Sequence, residues 1–183
     1  MCKSSVLRAG IAHQLNQRTN VKIIVHYDWK SNPLAALKNQ VVKLASLHEN
    51  FGASHSFAEI IQETTQVLSA RLMIILDQFE EYFLYHPLED EFTIQFSKAV
   101  LQADLPVSFL VSIREDSLAK LDRFEGRIPF LFDNYLRLEH LDNQAARSAI
   151  ELPIERYNQL YASEKPFQLE TRLVDEVLVL LKS

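Results

Sequence analysis

The chain reads as an α/β protein built on a parallel sheet flanked by helices. Three observations predict this. Short β-branched runs alternate with longer stretches of helical periodicity. One run, Leu72 to Leu76, is continuously apolar, as suits a strand buried on both faces. Glycine is scarce: Gly10, Gly52 and Gly126 are the only three in 183 residues, where average usage of about 7% would give roughly a dozen. Few left-handed turns and a helix-rich chain follow.

Each element has its own warrant. Ser5 to Leu15 is a helix with Val6, Leu7, Ile11 and Leu15 on one side, and Val21 to Tyr27 is β-branched and bounded by Asn20 and Asp28. Leu34 to Leu47 carries Leu34, Leu37, Val41, Val42 and Leu44 at helical spacing, and Ser56 to Leu68 repeats the pattern with Phe57, Ile60, Ile61, Thr64 and Leu68. The apolar run 72–76 ends at Asp77. Glu89 to Ala103 is amphipathic, and Val107 to Ile113 is a strand entered from Pro106. Ser117 to Phe124 is a short helix stopped near Gly126 and Pro129, and Tyr135 to Leu138 is a last strand. The alternation then ends. Asp142 is a good N-cap for a helix that Pro153 interrupts, and after Lys165-Pro166 a final helix runs from Leu169 to Leu181. The predicted boundary separates an α/β unit, 1–141, from the start of a helical unit, 142–183.

Composition excludes several classes of function. A net charge of -5 with no Lys/Arg block argues against a nucleic-acid partner. Cys2 is the only cysteine, so no intrachain disulfide forms and a reducing, cytoplasmic setting is expected. No apolar run approaches the roughly 20 residues of a membrane helix, and the N-terminus shows no secretory pattern. The six histidines show no zinc-type spacing with one another or with Cys2.

In parallel sheets ligands sit beyond the carboxyl ends of the strands. Two charged clusters fall there: Asp77-Gln78-Phe79-Glu80-Glu81 and Arg114-Glu115-Asp116. Lys3-Ser4-Ser5 stands at the head of the first helix like the end of a phosphate-binding loop, G-x-x-x-x-G-K-[ST]. Asp77 has the position of a Walker B acid, which would hold Mg²⁺ together with the Ser4 hydroxyl; a solvated acid at a strand end has the same pattern. Glu80 and Glu81 are candidates for polarising an attacking water, and equally for the acidic first turn of a helix. Arg114 would face a γ-phosphate, or else pair with Glu115, Asp116 or Asp77. Lys3 would reach the β- and γ-phosphates as a point charge. Phe79, Tyr82, Phe83 and Tyr85 read as core.

Five strings in this order carry a resemblance: Lys3 to Gly10, Leu76-Asp77-Gln78-Phe79-Glu80-Glu81, Ser112 to Asp116, Leu121 to Pro129 (L-D-R-F-E-G-R-I-P), and Leu138 to Asp142. The series closely resembles the STAND signal-transduction NTPases, in particular the novel STAND branch, over about residues 3 to 181. The resemblance implies a P-loop NTPase core of the ASCE type, a helical lid, and use as an ATP-driven switch that hydrolysis resets. It implies ATP and Mg²⁺ as ligands. As partners it implies self-association and the effector and repeat domains of a larger protein. By position Lys3, Ser4 and Ser5 match the phosphate-loop end, with Ser4 and Asp77 on the metal. Glu80 or Glu81 matches the catalytic carboxylate, Arg114 the arginine after the fourth core strand, and Pro153 the lid proline that packs near the base.

The departures shape the expectation. The family's first strand, central in a 5-1-4-3-2 sheet, and its loop glycines have no counterpart, and Cys2 stands where the last glycine is usual. A cysteine Cβ crowds a backbone that must approach phosphate, and the loop's N–H groups make much of the phosphate nest. The expectation is therefore a slice of a larger switch whose nucleotide activity is impaired. The alternative is a nucleotide-independent interaction or oligomerisation module. A third possibility, an unrelated hydrolase using the same acids, has no independent support.

Overall fold

The computed structural model describes Leu7 and residues 13–16, 20–138, 142–162 and 165–180. Lys3, Ser4 and Ser5, Cys2, most of the helix expected over 5–15, and Glu139 to Leu141 lie outside the described residues. The chain divides into two compact units, Cys2–Leu136 and Arg137–Ser183.

The first unit is α/β, with a three-stranded parallel sheet flanked by helices. A short helix α1 (His13–Asn16) precedes β1 (Val21–His26); α2 (Pro33–Leu44), α3 (Glu49–Ser54) and α4 (Phe57–Leu68) lead to β2 (Arg71–Leu76). Helices α5 (Glu80–Tyr85) and α6 (Glu91–Leu101) follow, then β3 (Val107–Val111), a 3₁₀ segment (Glu115–Leu121) and α7 (Asp122–Glu125). The strand order is β1-β2-β3, all parallel, with Val21 opposite Arg71 and Leu72 opposite Val107.

β2 is central because its sequence tolerates burial on both sides. Leu72, Ile74 and Leu76 enter the main core, and Ile75, pointing the other way, is also fully buried. Helices α2, α4 and α6 pack on one another over that core, presenting Leu37, Val41, Ile60, Ile61, Phe92 and Phe96. Each such side chain contributes about 1.5–3 kcal/mol on burial. The helix starts are written locally. Asn32 caps α2, with Pro33 at its first turn. Ser56 and Glu59 close a capping box on α4, with bonds of 3.3 and 2.7 Å. Asp90 caps α6.

Three expectations are corrected here. Tyr135 to Leu138 is irregular and exposed rather than a strand. A strand needs a ladder, and none of the described strands pairs with this segment. The expected helix 117–124 is a 3₁₀ segment running into the single turn of α7. Pro153 does not interrupt its helix.

The second unit contains α8 (Asn143–Tyr161), capped by Asp142, and α9 (Thr171–Leu180). α8 runs unbroken through Pro153. Proline removes one N–H and crowds the carbonyl four residues back. Pro153 and Ala149 are both exposed residues, so the crowding falls on the solvent side of the helix. Arg147 ties the two helices, pairing with Asp175 of α9 and, at 3.1 Å, with Glu151 of its own helix. These partners raise its pKa above the usual guanidinium value, the Asp175 hydrogen bond most.

Candidate functional site

The site lies beyond the carboxyl ends of the strands and is framed by backbone hydrogen bonds. Asp77 directly follows β2, and its N–H donates to the His26 carbonyl at the end of β1, 2.8 Å. The Trp29 indole N–H, from the loop after β1, donates to the Asp77 carbonyl, also at 2.8 Å. Phe79 N–H reaches Ser112 O, and Ser112 N–H reaches Leu76 O, each at 2.9 Å, which joins the end of β3. Asp77 is fully buried, and its Oδ1 accepts the Gln78 N–H at 3.0 Å.

The chain then turns sharply. Gln78 has φ of 56°, in the left-handed region, which disfavours a residue with a Cβ by about 1–2 kcal/mol. The turn drives Phe79 into the core and starts α5 at Glu80. Glu80 and Glu81 therefore occupy an acidic first turn, where the helix dipole favours them. Both are half-buried. Glu80 Oε2 accepts the backbone N–H of Arg114 at 3.2 Å, so the two charged clusters meet across β2 and β3. The Arg114 guanidinium is exposed and pairs with Asp116 at 2.6 Å. The structure thus places Asp77, Glu80, Glu81 and Arg114 at the carboxyl ends of β2 and β3, with the Arg114 N–H to Glu80 as the bond between the two clusters. Pro153 sits on the exposed side of α8 in the second unit. Lys3, Ser4 and Ser5 lie outside the described residues.

Trp29 organises the floor. It is fully buried, with its ring 4.6 Å from His26, 5.1 Å from Phe79 and 5.8 Å from both Tyr82 and Phe92. His86 Nε2 lies 2.9 Å from the Trp29 carbonyl. The Tyr82 hydroxyl bonds Asp90 and Thr93 at 2.7 Å each, and burial pushes its pKa up to about 12. Phe79, Tyr82 and Phe83 are core as expected, but Tyr85 is exposed, with Lys30 Nζ 6.0 Å from its ring centre. Sequence reasoning missed Trp29, His26 and His86. The only available signal was a lone tryptophan in an otherwise polar loop.

The donor set at the strand ends consists of hard carboxylate oxygens, which suits Mg²⁺. Among the described residues no group of three or more His, Cys, Asp or Glu could hold a metal alone. Mg²⁺ does not need one: it takes one or two carboxylates and completes its octahedron with water and phosphate.

The model of the novel STAND NTPase 1 family matches residues 1–179. The chain belongs to that family, which makes it an NTPase-type signalling module of a nucleotide-binding class. Nucleotide and metal use are general to the family. No curated protein and no solved structure matches the chain. No described helix is long and apolar enough to cross a membrane.

Proposed function

We propose that the chain is an ATP-binding and ATP-hydrolysing switch module of a larger cytoplasmic STAND protein, its nucleotide activity impaired by Cys2 standing where the last loop glycine is usual. The observation that carries this is the fully buried Asp77 at the end of the central strand, with Glu80 joined to the segment of Arg114 beside it. The order β1-β2-β3 fits the second, third and fourth strands of an ASCE sheet, whose first strand would lie along the free edge of β3. Residues 142–183 would begin the helical lid.

In this reading Lys3 and Ser5 contact the phosphates, and Ser4 with Asp77 holds Mg²⁺. The ion, when bound, neutralises charge on the phosphate oxygens. Glu80 or Glu81 takes the proton of the attacking water. Arg114 answers γ-phosphate charge. Its present pair with Asp116 is exposed on both sides, and such pairs contribute little, so a phosphate can displace it.

Calorimetry of Mg·ATP against this chain and its Asp77→Asn variant tests the assignment. Mg-dependent binding in the first and at least tenfold weaker binding in the second is the expected outcome. Equal Mg-dependent binding by both would remove Asp77 from the metal site.

A second reading, a nucleotide-independent interaction module, draws on the exposed Phe130, Phe132, Tyr135 and Leu136. Concentration-dependent self-association in the absence of any nucleotide binding would favour it.

A further inference from the structure

The L-D-R-F-E-G-R-I-P string has a physical role that its place in the chain does not announce. Arg123, on α7, donates to three consecutive carbonyls of the α5–α6 turn: His86 at 2.7 Å, Pro87 at 2.6 Å and Leu88 at 3.3 Å. Its guanidinium also lies over the rings of Phe83 and Tyr82, 5.0 and 5.6 Å from their centres. Arg127 pairs with Glu89 in the same turn. Carbonyls at a helix end have no partner within the helix, and a planar fork of five donors holds several at once in a fixed geometry, whereas an ammonium offers three donors on a flexible stem. The far end of α5 is thus fastened to the segment after β3. Its near end is fastened to the same segment by Glu80 and the Arg114 N–H.

We propose that Arg123 is a positioning residue: by clamping the His86–Leu88 carbonyls it holds α5 so that Glu80 keeps its bond to the Arg114 amide. The acids that follow β2 and the arginine that follows β3 then move as one body. The clamp also reaches Asp77. His86, whose carbonyl Arg123 holds, contacts the Trp29 carbonyl through its ring, and the Trp29 indole holds the Asp77 carbonyl. The catalytic meaning of the clamp rests on the reading of Glu80 and Arg114 under Proposed function, but its mechanical content does not.

Amide hydrogen exchange on the whole chain tests it, using Arg123→Lys, Glu80→Ala and the double variant. In Arg123→Lys the amides of Arg114 and of α5 should exchange about tenfold faster, as for a local opening, with the β2 amides unchanged. At the Arg114 amide the double variant should match Glu80→Ala alone, because both changes break the same bond. Unchanged exchange at Arg114 and α5 would overturn the proposal. So would acceleration spread equally over β2, or effects of the two substitutions that simply multiply. Arg123→Gln, read the same way, guards against a compensating bond from the lysine. Mg·ATP turnover measured in parallel separates the two claims. If the parent chain binds no nucleotide, the switch reading fails while the exchange result still decides the clamp. If it turns over ATP, Arg123→Lys should lower kcat with KM unchanged, and a change confined to KM would count against positioning.

Discussion

Replacing His26 with phenylalanine should stabilise the protein, and the reasoning can be worked from the structure. His26 ends β1, is 1% exposed, and among the described residues neither ring nitrogen has a hydrogen-bond partner. Gln40 is a polar neighbour, yet its Oε1 is also buried without a bond, so the pair does not close. An unsatisfied buried polar group costs about 1–3 kcal/mol. Phenylalanine keeps the ring packed edge-on against Trp29, 4.6 Å away, and leaves the backbone bond from Asp77 to the residue-26 carbonyl intact. A gain of about 1–3 kcal/mol near pH 7.5 is expected. The gain should grow in acid. Burial pushes the His26 pKa below 6.5, against smaller opposing pulls from Gln40 and Asp28. Below pH 6.5 the unfolded chain therefore takes up a proton that the folded chain refuses, and stability falls as pH drops. The limiting slope is about 1.4 kcal/mol per pH unit until the folded-state pKa is reached. Urea denaturation of both proteins from pH 7.5 to 5.5, followed by far-ultraviolet circular dichroism, reads both effects. A variant less stable at every pH, or an unchanged difference across that range, would refute the account of His26 as an unpaired buried base.

Two further outcomes follow from local geometry. Ser56→Ala removes the side-chain half of the capping box on α4 and should cost about 1 kcal/mol, read as a lower urea midpoint at unchanged m-value. Gln78→Val places a β-branched residue at φ of 56° and should cost about 1–2 kcal/mol or more, whereas Gln78→Gly should be tolerated; equal behaviour of the two would show that the turn relaxes.

How much of this was legible depended on the distance over which each feature is encoded. β2 and Asp77 were readable because an apolar run ending in an acid is a local pattern, and burial on both faces follows from the absence of alternation. The cap at Asp142 lies within three residues of its target. Tyr135 to Leu138 failed for the opposite reason: its apolar composition is local, but pairing is not, and a strand without a ladder gains nothing from its composition. Pro153 misled because the cost of a proline depends on its surroundings, and here both Pro153 and Ala149, the residue whose carbonyl it crowds, are exposed. Arg123 bonds carbonyls 35 to 37 residues away, and no spacing rule reaches that far.

The division between frame and function in the site follows from which groups make its bonds. Asp77 is located by its own N–H and carbonyl, bonded to the ends of β1 and to Trp29, and the start of α5 is located by Phe79 N–H on Ser112. These bonds are made by backbone, with one indole, and two carboxylates add to them: Glu80 accepts the Arg114 N–H and Asp77 accepts the Gln78 N–H. The aromatic core around Trp29 excludes water from that frame, which strengthens its hydrogen bonds and makes an unbonded group there costly. The Asp77 side chain can be exchanged on such a frame, because asparagine keeps an Oδ1 acceptor for the Gln78 N–H. Asp77→Asn is therefore a clean test of metal binding, because the backbone bonds that place residue 77 do not involve the atom that changes. Trp29 is the opposite case: replacing it removes a donor from a buried carbonyl and a ring from the core together, so a loss of nucleotide binding in a Trp29 variant would report on the frame and not on the chemistry.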